Sequence, residues 1–298
     1  MTESLQSAES TPVAQRIGIV SDSSCDLPAD LALRWGIEIA PLSIRFGDEE
    51  FADREQLSTD DFWARCARSP VLPSTAAPPP GRFEQAYRAL AERGSTNVVA
   101  VTISGALSAT FQSAELAAKN VAVDGINVAV VDSRTVTLGL GTIVLACAEA
   151  AGKIDGGAAS QSSLVDLAND LAARTRVFGA LDSMENLKKG GRVGNARALL
   201  ATALSIKPII AVENGVVEQY GKQRTRSKAI KFLVEKVAGV GGRMEHLAVL
   251  HADCDDVDEF VDQLRPYFDG EIVVGQIGPV VGAHAGRGTI GVAYHETP

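Results

Sequence analysis

Aromatic residues are scarce, at 5% of 298 positions, and the four cysteines (Cys25, Cys66, Cys147 and Cys254) lie far apart with no C-x-x-C pair. Such spacing excludes a zinc-finger pattern and a disulfide framework, and it fits a reducing compartment. Positive charge is short as well: 28 Lys+Arg against 37 Asp+Glu leave a formal net charge of -9. A non-specific nucleic-acid binder needs a positive surface to release counterions from phosphates, so no nucleic-acid partner is expected. No apolar run reaches the about 18 residues of a membrane helix. The opening Met1–Gln15 carries Glu3 and Glu9 and lacks the apolar centre of a signal peptide. These absences lead to a cytoplasmic chain with at most transient membrane contact, its residues 1–15 a disordered tail.

What is plentiful is Ala, Val, Leu and Ile within a hydrophobic fraction of 46%. Short β-branched runs alternate with Ala-rich amphipathic stretches, the signature of βαβ units, so the fold class is α/β. Two domains are expected. Residues 16–155 form an N-terminal domain with a mostly parallel sheet and flanking helices; residues 156–298 form a C-terminal domain with a mixed sheet, and Lys153–Ser160 links them. Strands are expected at Arg16–Ser21, Ile37–Phe46, Asn97–Ile103, Asn127–Val131 and Arg176–Leu181, then His246–His251, Glu271–Ile277 and Thr289–Tyr294. Pro208–Tyr220 reads as a hairpin turning at Asn214-Gly215. Ala196–Ile206 reads as helix. The prolines of Pro73–Gly81 argue against regular structure.

Several segments could carry chemistry, each with a plainer reading. Ser21–Asp26 follows the first strand, at the sheet end that faces a ligand crevice. Asp22 or Cys25 could be nucleophiles there, but the polar residues could equally satisfy loop amides. Ser104–Thr110 joins a strand to a helix, a place where free amides and hydroxyls receive a small anion such as a carboxylate. It meets neither nucleotide-binding glycine pattern, and Ser108 could be a simple N-cap. Ser74-Thr75 precedes the prolines, which can hold a hydroxyl in place or merely connect. Lys188-Lys189-Gly190-Gly191-Arg192, with Lys207, Lys222, Arg224, Arg226 and Lys228, could dock a partner or be a solvated face. His251–Asp256 looks metal-like but reads more simply as helix-capping acids. His284 sits in a glycine-flexible loop, Gly282–Gly288, where backbone can approach a ligand closely.

Taken in order, RIGIVSDSSCDLP, PSTAAPPPGRF, TISGALSATFQSA, SMENLKKGGRVG, IKPII, KQRTRSKAI and IGPVVGAHAGRGTIG resemble the DegV family of bacterial fatty-acid-binding proteins, from Arg16 to about Tyr294. The resemblance implies two α/β domains with a ligand tunnel between them. It also implies a lipid-binding, lipid-transport role without catalytic residues, metal or cofactor, a long-chain fatty acid such as hexadecanoate being the ligand. By position, Thr75 and Ser108 hold the carboxylate, with Ser104 and His284 close by. Some members present the acid to a separate ATP-dependent fatty acid kinase, which forms an acyl phosphate for lipid metabolism; Arg224 or Arg226 would be the docking residue. The sequence departs from the family pattern at Ala76 and Ala77, where T-S-Q-P-S is common, at Gly105, where Ser is common, and at Ala109, where Gly is common. These departures imply a sparser head-group site. The rival reading is an enzyme acting on a phosphorylated or acyl substrate through Asp22 or Cys25, and a third is a lipid-sensing regulatory module.

Overall fold

The computed structural model describes residues 16–69, 71–152, 159–201 and 206–298. The expected tail, 1–15, lies outside them. The apolar run Ile17–Asp22 forms β1, buried along its whole length as a central parallel strand must be. A tight turn ends at Asp26, whose φ is 51°, and Pro28 leads into α1 (Ala29–Trp35). The stretch expected as one strand, Ile37–Phe46, is two. β2 (Glu38–Ala40) pairs in parallel with β1, whereas β3 (Ser43–Phe46) belongs to another sheet. Pro41 lies between them without an N–H for a ladder, and the chain leaves the first sheet there.

β4 (Glu49–Ala52) precedes α2 (Thr59–Arg68) and β5 (Ser74–Ala76), and the two strands flank β3 in a small antiparallel sheet. β5 corrects the expectation that Pro73–Gly81 is irregular. An edge strand needs a partner on one side only, and the proline run begins after it. Pro80 then opens α3 (Pro80–Glu92), where its missing N–H costs nothing. β6 (Asn97–Thr102), α4 (Thr110–Val121) and β7 (Asn127–Asp132) complete a parallel sheet of order β2-β1-β6-β7.

α5 (Leu138–Gly152) is buried without a break from Leu138 to Ala148. Its uniform apolarity follows from its place: it touches β1 and β6 on one side and the second sheet on the other. A Cβ at Gly141 would stand 2.5 Å from the Cys25 carbonyl oxygen, so only glycine allows this approach. α6 (Gln161–Arg174) packs back on β6 and β7, and Gln161 Nε2 donates to the Val98 carbonyl at 2.8 Å. The chain therefore crosses to the second sheet between α6 and β8 (Thr175–Ala180), later than the Lys153–Ser160 stretch, most of which (153–158) lies outside the described residues.

The second sheet gathers β8, β9 (Lys207–Glu213), β10 (Val216–Gln223), β11 (Met244–His251), β12 (Val273–Gln276) and β13 (Ile290–Glu296) in the order β10-β9-β8-β13-β11-β12. Its pairings are antiparallel except β11 with β12, the mixed sheet the sequence leads one to expect. Asn214 and Gly215 turn the β9–β10 hairpin at φ 51° and 84°. Helices α7 (Glu185–Lys189), α8 (Arg226–Val240), α9 (Val257–Leu264) and α10 (Pro279–Ala285) complete this half. The expected helix Ala196–Ile206 is a 3-10 segment over Ala196–Ala201, and 202–205 fall outside the described residues. The largest core cluster joins the two sheets, running from Ile19 and Val101 through α5 to Val177, Leu250 and Ala293.

Candidate ligand site

A narrow apolar cavity of ≈ 90 Å³ opens between the two halves. Leu42, Ile103, Leu107 and Val136 wall it on the N-terminal side; Leu187, Ile210, Val212, Val217, Val280 and Val281 wall it on the other. Four polar residues join this lining: Thr75, Ser108, Arg192 and His284. Strand alternation explains Thr75. It is half-buried while its neighbours Ser74 and Ala76 are exposed, as period two requires. Ala76 thus points away from the cavity, and a hydroxyl there would not reach a head group. Ser108 lies just before α4, with its Oγ 2.8 Å from Thr110 Oγ1.

His284 is carried on a helix rather than the loop expected. It sits in the last turn of α10, and its Nε2 lies 2.9 Å from Thr75 Oγ1, which ties the two halves together. Burial, and then the neighbouring Arg192 charge, lower its pKa to about 4, so the ring is neutral near pH 7. Its Nδ1 is buried and has no partner among the described residues. A bare lone pair there costs less than a bare N–H, which favours the tautomer with hydrogen on Nε2. In that tautomer Nε2 donates to Thr75, leaving the threonine hydroxyl proton for a ligand. Gly190 makes room for the ring: a Cβ there would come within 2.1 Å of His284 Nδ1.

In the sequence Arg192 stands only as part of a basic segment. Its Nε donates to the Leu107 carbonyl at 3.2 Å and its Nη1 to the Gly190 carbonyl at 2.8 Å. Those bonds hold the cation against the Ser104–Ser108 loop. The signal in the sequence was the Gly190-Gly191 pair before it, which marks a close backbone approach. The apolar walls gave no such signal, since each of those residues reads as ordinary core.

Ser104 is not among the lining residues. It is fully buried, and its Oγ donates to the Gly215 carbonyl at 2.7 Å, pinning the hairpin tip to the N-terminal half. The loop amides expected to be free are occupied: Gly105 N donates to Asp132 Oδ1, Ala106 N to Ser104 Oγ, and Leu107 N and Ser108 N to the Ser104 carbonyl. Hydroxyls and a guanidinium are the side-chain donors this site offers.

Asp22 and Cys25 do not line the cavity, and both are fully buried. Asp22 Oδ2 accepts from Ile103 N at 2.8 Å, and Oδ1 accepts from the Ser24 amide and hydroxyl. Burial pushes the Cys25 thiol up to about 11, far from a thiolate at neutral pH. No group of three His, Cys, Asp or Glu among the described residues is placed to hold a metal, His251–Asp256 included. The two docking candidates differ. Arg226 is half-buried, donating from Nε and Nη2 to Asp256 at 2.5 and 2.7 Å and from Nη1 to the Gly288 carbonyl at 2.6 Å. Arg224 is exposed at the end of β10.

No helix of the described residues is long and apolar enough to cross a membrane. The profile of the DegV family, described as an uncharacterised protein, matches residues 16–297. A DegV domain-containing protein of Streptomyces coelicolor is 36% identical over 285 residues, covering 94% of this chain and 98% of that protein. A solved structure presented as fatty acid binding of a DegV family protein from Thermus thermophilus is similar at TM-score 0.83 and 31% identity, covering 94% of this chain and 99% of that one. The crystal structure of DegV, a fatty acid binding protein from Bacillus subtilis, is similar at TM-score 0.82 and 28% identity, over 95% of this chain and 100% of that one. The match of profile, sequence and fold along almost the whole length leads to one conclusion: this chain belongs to the DegV family.

Proposed function

We propose that this chain binds a long-chain fatty acid in the cavity between its two halves and carries it to a separate ATP-dependent fatty acid kinase. The observation that supports this most is the make-up of the lining, apolar on both sides with Thr75, Ser108, Arg192 and His284 together. A ligand with one anionic end and a long apolar body matches that division. A saturated tail of about 15 methylenes supplies roughly 12 kcal/mol gross at ~0.8 kcal/mol each, from which association costs are subtracted. The tail supplies the affinity, and the polar group sets the orientation.

Leu187 and Val217 belong to a small core cluster separate from the main one. Thr75 and Ser108 hydroxyls donate to the carboxylate, and Arg192, whose Nη2 has no partner among the described residues, adds a charge-assisted bond. Exposed Arg224 is the better docking residue, since Arg226 is committed to Asp256.

Calorimetric titration with hexadecanoate and with hexadecanol tests the head-group assignment. Tighter binding of the acid, lost in the Thr75→Val/Ser108→Ala double variant, supports it; equal binding of acid and alcohol sinks it. Capture of an ATP-dependent kinase that phosphorylates the bound acid, abolished in Arg224→Ala, tests the carrier role. Hydrolysis of an acyl or phosphoryl substrate by the protein alone would favour the enzyme reading instead.

A further inference from the structure

Asp26 is the feature that the site described above leaves unused. Its backbone is left-handed, at φ 51°, and its carboxylate is fully buried where three segments meet. Oδ2 accepts from Thr137 Oγ1 at 2.6 Å, one residue before α5. Oδ1 accepts from the Gly278 amide at 3.0 Å, at the start of α10. Gly278 has no side chain to cap its own helix, and Pro279 after it has no N–H. A carboxylate from the other half of the molecule thus serves as the cap that α10 cannot supply, on the positive end of the helix. The fit is close: a Cβ on Gly278 would come within 2.8 Å of Asp26 Oδ1, and one on Gly275 within 2.8 Å of the Asp26 carbonyl oxygen.

α10 is the helix that carries His284, along with Val280 and Val281 of the cavity wall. His284 is six residues beyond Gly278, about 9 Å along the axis at 1.5 Å per residue. Burying a carboxylate is expensive, and the Asp26 pKa is raised by burial to about 7, with the Arg54 charge and the Thr137 and Gly278 hydrogen bonds opposing the rise. An apolar residue would avoid that cost if packing were the sole requirement.

Resting on the carboxylate site proposed above, we infer that Asp26 is a positioning residue: by capping α10 across the domain gap it sets where His284 meets Thr75. The cap fixes the start of the helix, while Gly282 lies against the Phe62 and Trp63 rings midway, so His284 is placed from the N-terminal half at both points. Loss of the cap frees the helix start and lengthens the Thr75–His284 bond without touching either residue.

The test uses ring ¹⁵N NMR of His284 in unliganded full-length protein, with hexadecanoate titration as a second readout. Asp26→Ala is expected to shift the His284 Nε2 signal and weaken hexadecanoate binding at least tenfold. Asp26→Asn keeps an acceptor oxygen for Gly278 and is expected to restore both. Thr137→Val, which leaves the carboxylate in place, covers the case of an unfolded Asp26→Ala and is expected to give a smaller shift in the same direction. Thr175→Val removes two buried hydrogen bonds on β8, to the Leu171 carbonyl and to His295, and serves as a purely destabilising control; it is expected to lower the unfolding temperature without moving the His284 signal. An unmoved His284 signal in folded Asp26→Ala or in Thr137→Val overturns the inference, as does an equal shift in Thr175→Val. Absence of hexadecanoate binding by the wild-type protein would refute the fatty-acid reading alone, because the NMR shift is read without ligand.

Discussion

At the scale of single residues, the site rests on donors whose protons are directed by their neighbours. Thr75→Val removes one hydroxyl donor and leaves His284 Nε2 without its bond. We expect hexadecanoate affinity to fall about tenfold, the equivalent of a hydrogen bond worth ~1–1.5 kcal/mol, with the fold retained by circular dichroism. Arg192→Met removes a charge-assisted bond, and a loss of roughly ten- to a hundredfold is expected. The same change removes the nearby charge that helps hold His284 neutral, so the His284 pKa rises in that variant. In the wild type an NMR titration should show the His284 ring still neutral at pH 5. Its folded pKa is lowered to about 4 from an unfolded value near 6.5. The unfolded chain therefore takes up a proton as the pH falls below that value and the folded site does not, so this group lowers stability progressively from about pH 6.5 down to about 4. His295, lowered by burial to about 3, acts in the same direction. Buried Asp22, Asp26 and Asp53 act the opposite way: their raised values keep protons in the folded state, and their contribution to stability grows as the pH falls.

At the scale of elements, much was legible because period and turn chemistry are local. The β9–β10 hairpin follows from Asn214-Gly215, and the mixed second sheet from hairpin and βαβ patterns in one half. Non-local arrangements were not legible. Nothing near Ser74–Ala76 announces that β3 waits as its antiparallel partner, and nothing near Gly278 shows that Asp26 meets its amide from the opposite half. Thr75, Ser108 and His284 stand out in the sequence because their segments match family motifs, and the structure brings the three to one cavity. Arg192 and the valine walls are defined only by what folds against them. Ser104, expected close to the ligand, lies outside the cavity lining, and its Oγ bonds the Gly215 carbonyl at the hairpin tip. Gly215→Ala should show this, because Gly215 has φ 84° and a Cβ would stand 2.6 Å from Ser104 Oγ. We expect a loss of stability of about 1–3 kcal/mol from left-handed strain and the displaced bond, read by urea denaturation. Arg226→Ala should also lower stability, by roughly 1–2 kcal/mol for a half-exposed ion pair, whereas Arg224→Ala should leave the urea midpoint unchanged.

At the scale of the whole molecule, the two halves share one core through α5 and one site through the Thr75–His284 and Ser104–Gly215 bonds. The ligand proposed to lie between them would bind the folded form and not the unfolded one. At a hundredfold excess over its dissociation constant it should stabilise the protein by about 2.7 kcal/mol, visible as a rise in unfolding temperature that hexadecanol, lacking the carboxylate, produces less strongly. The central claim is that the cavity holds a long-chain fatty acid, and native mass spectrometry of the protein as purified, followed by release of the ligand, tests it most directly. We expect a co-purified mass matching an acid of about 14–20 carbons, in keeping with a tail of about 15 buried methylenes. A protein that carries none and takes up none when hexadecanoate is added would contradict the claim.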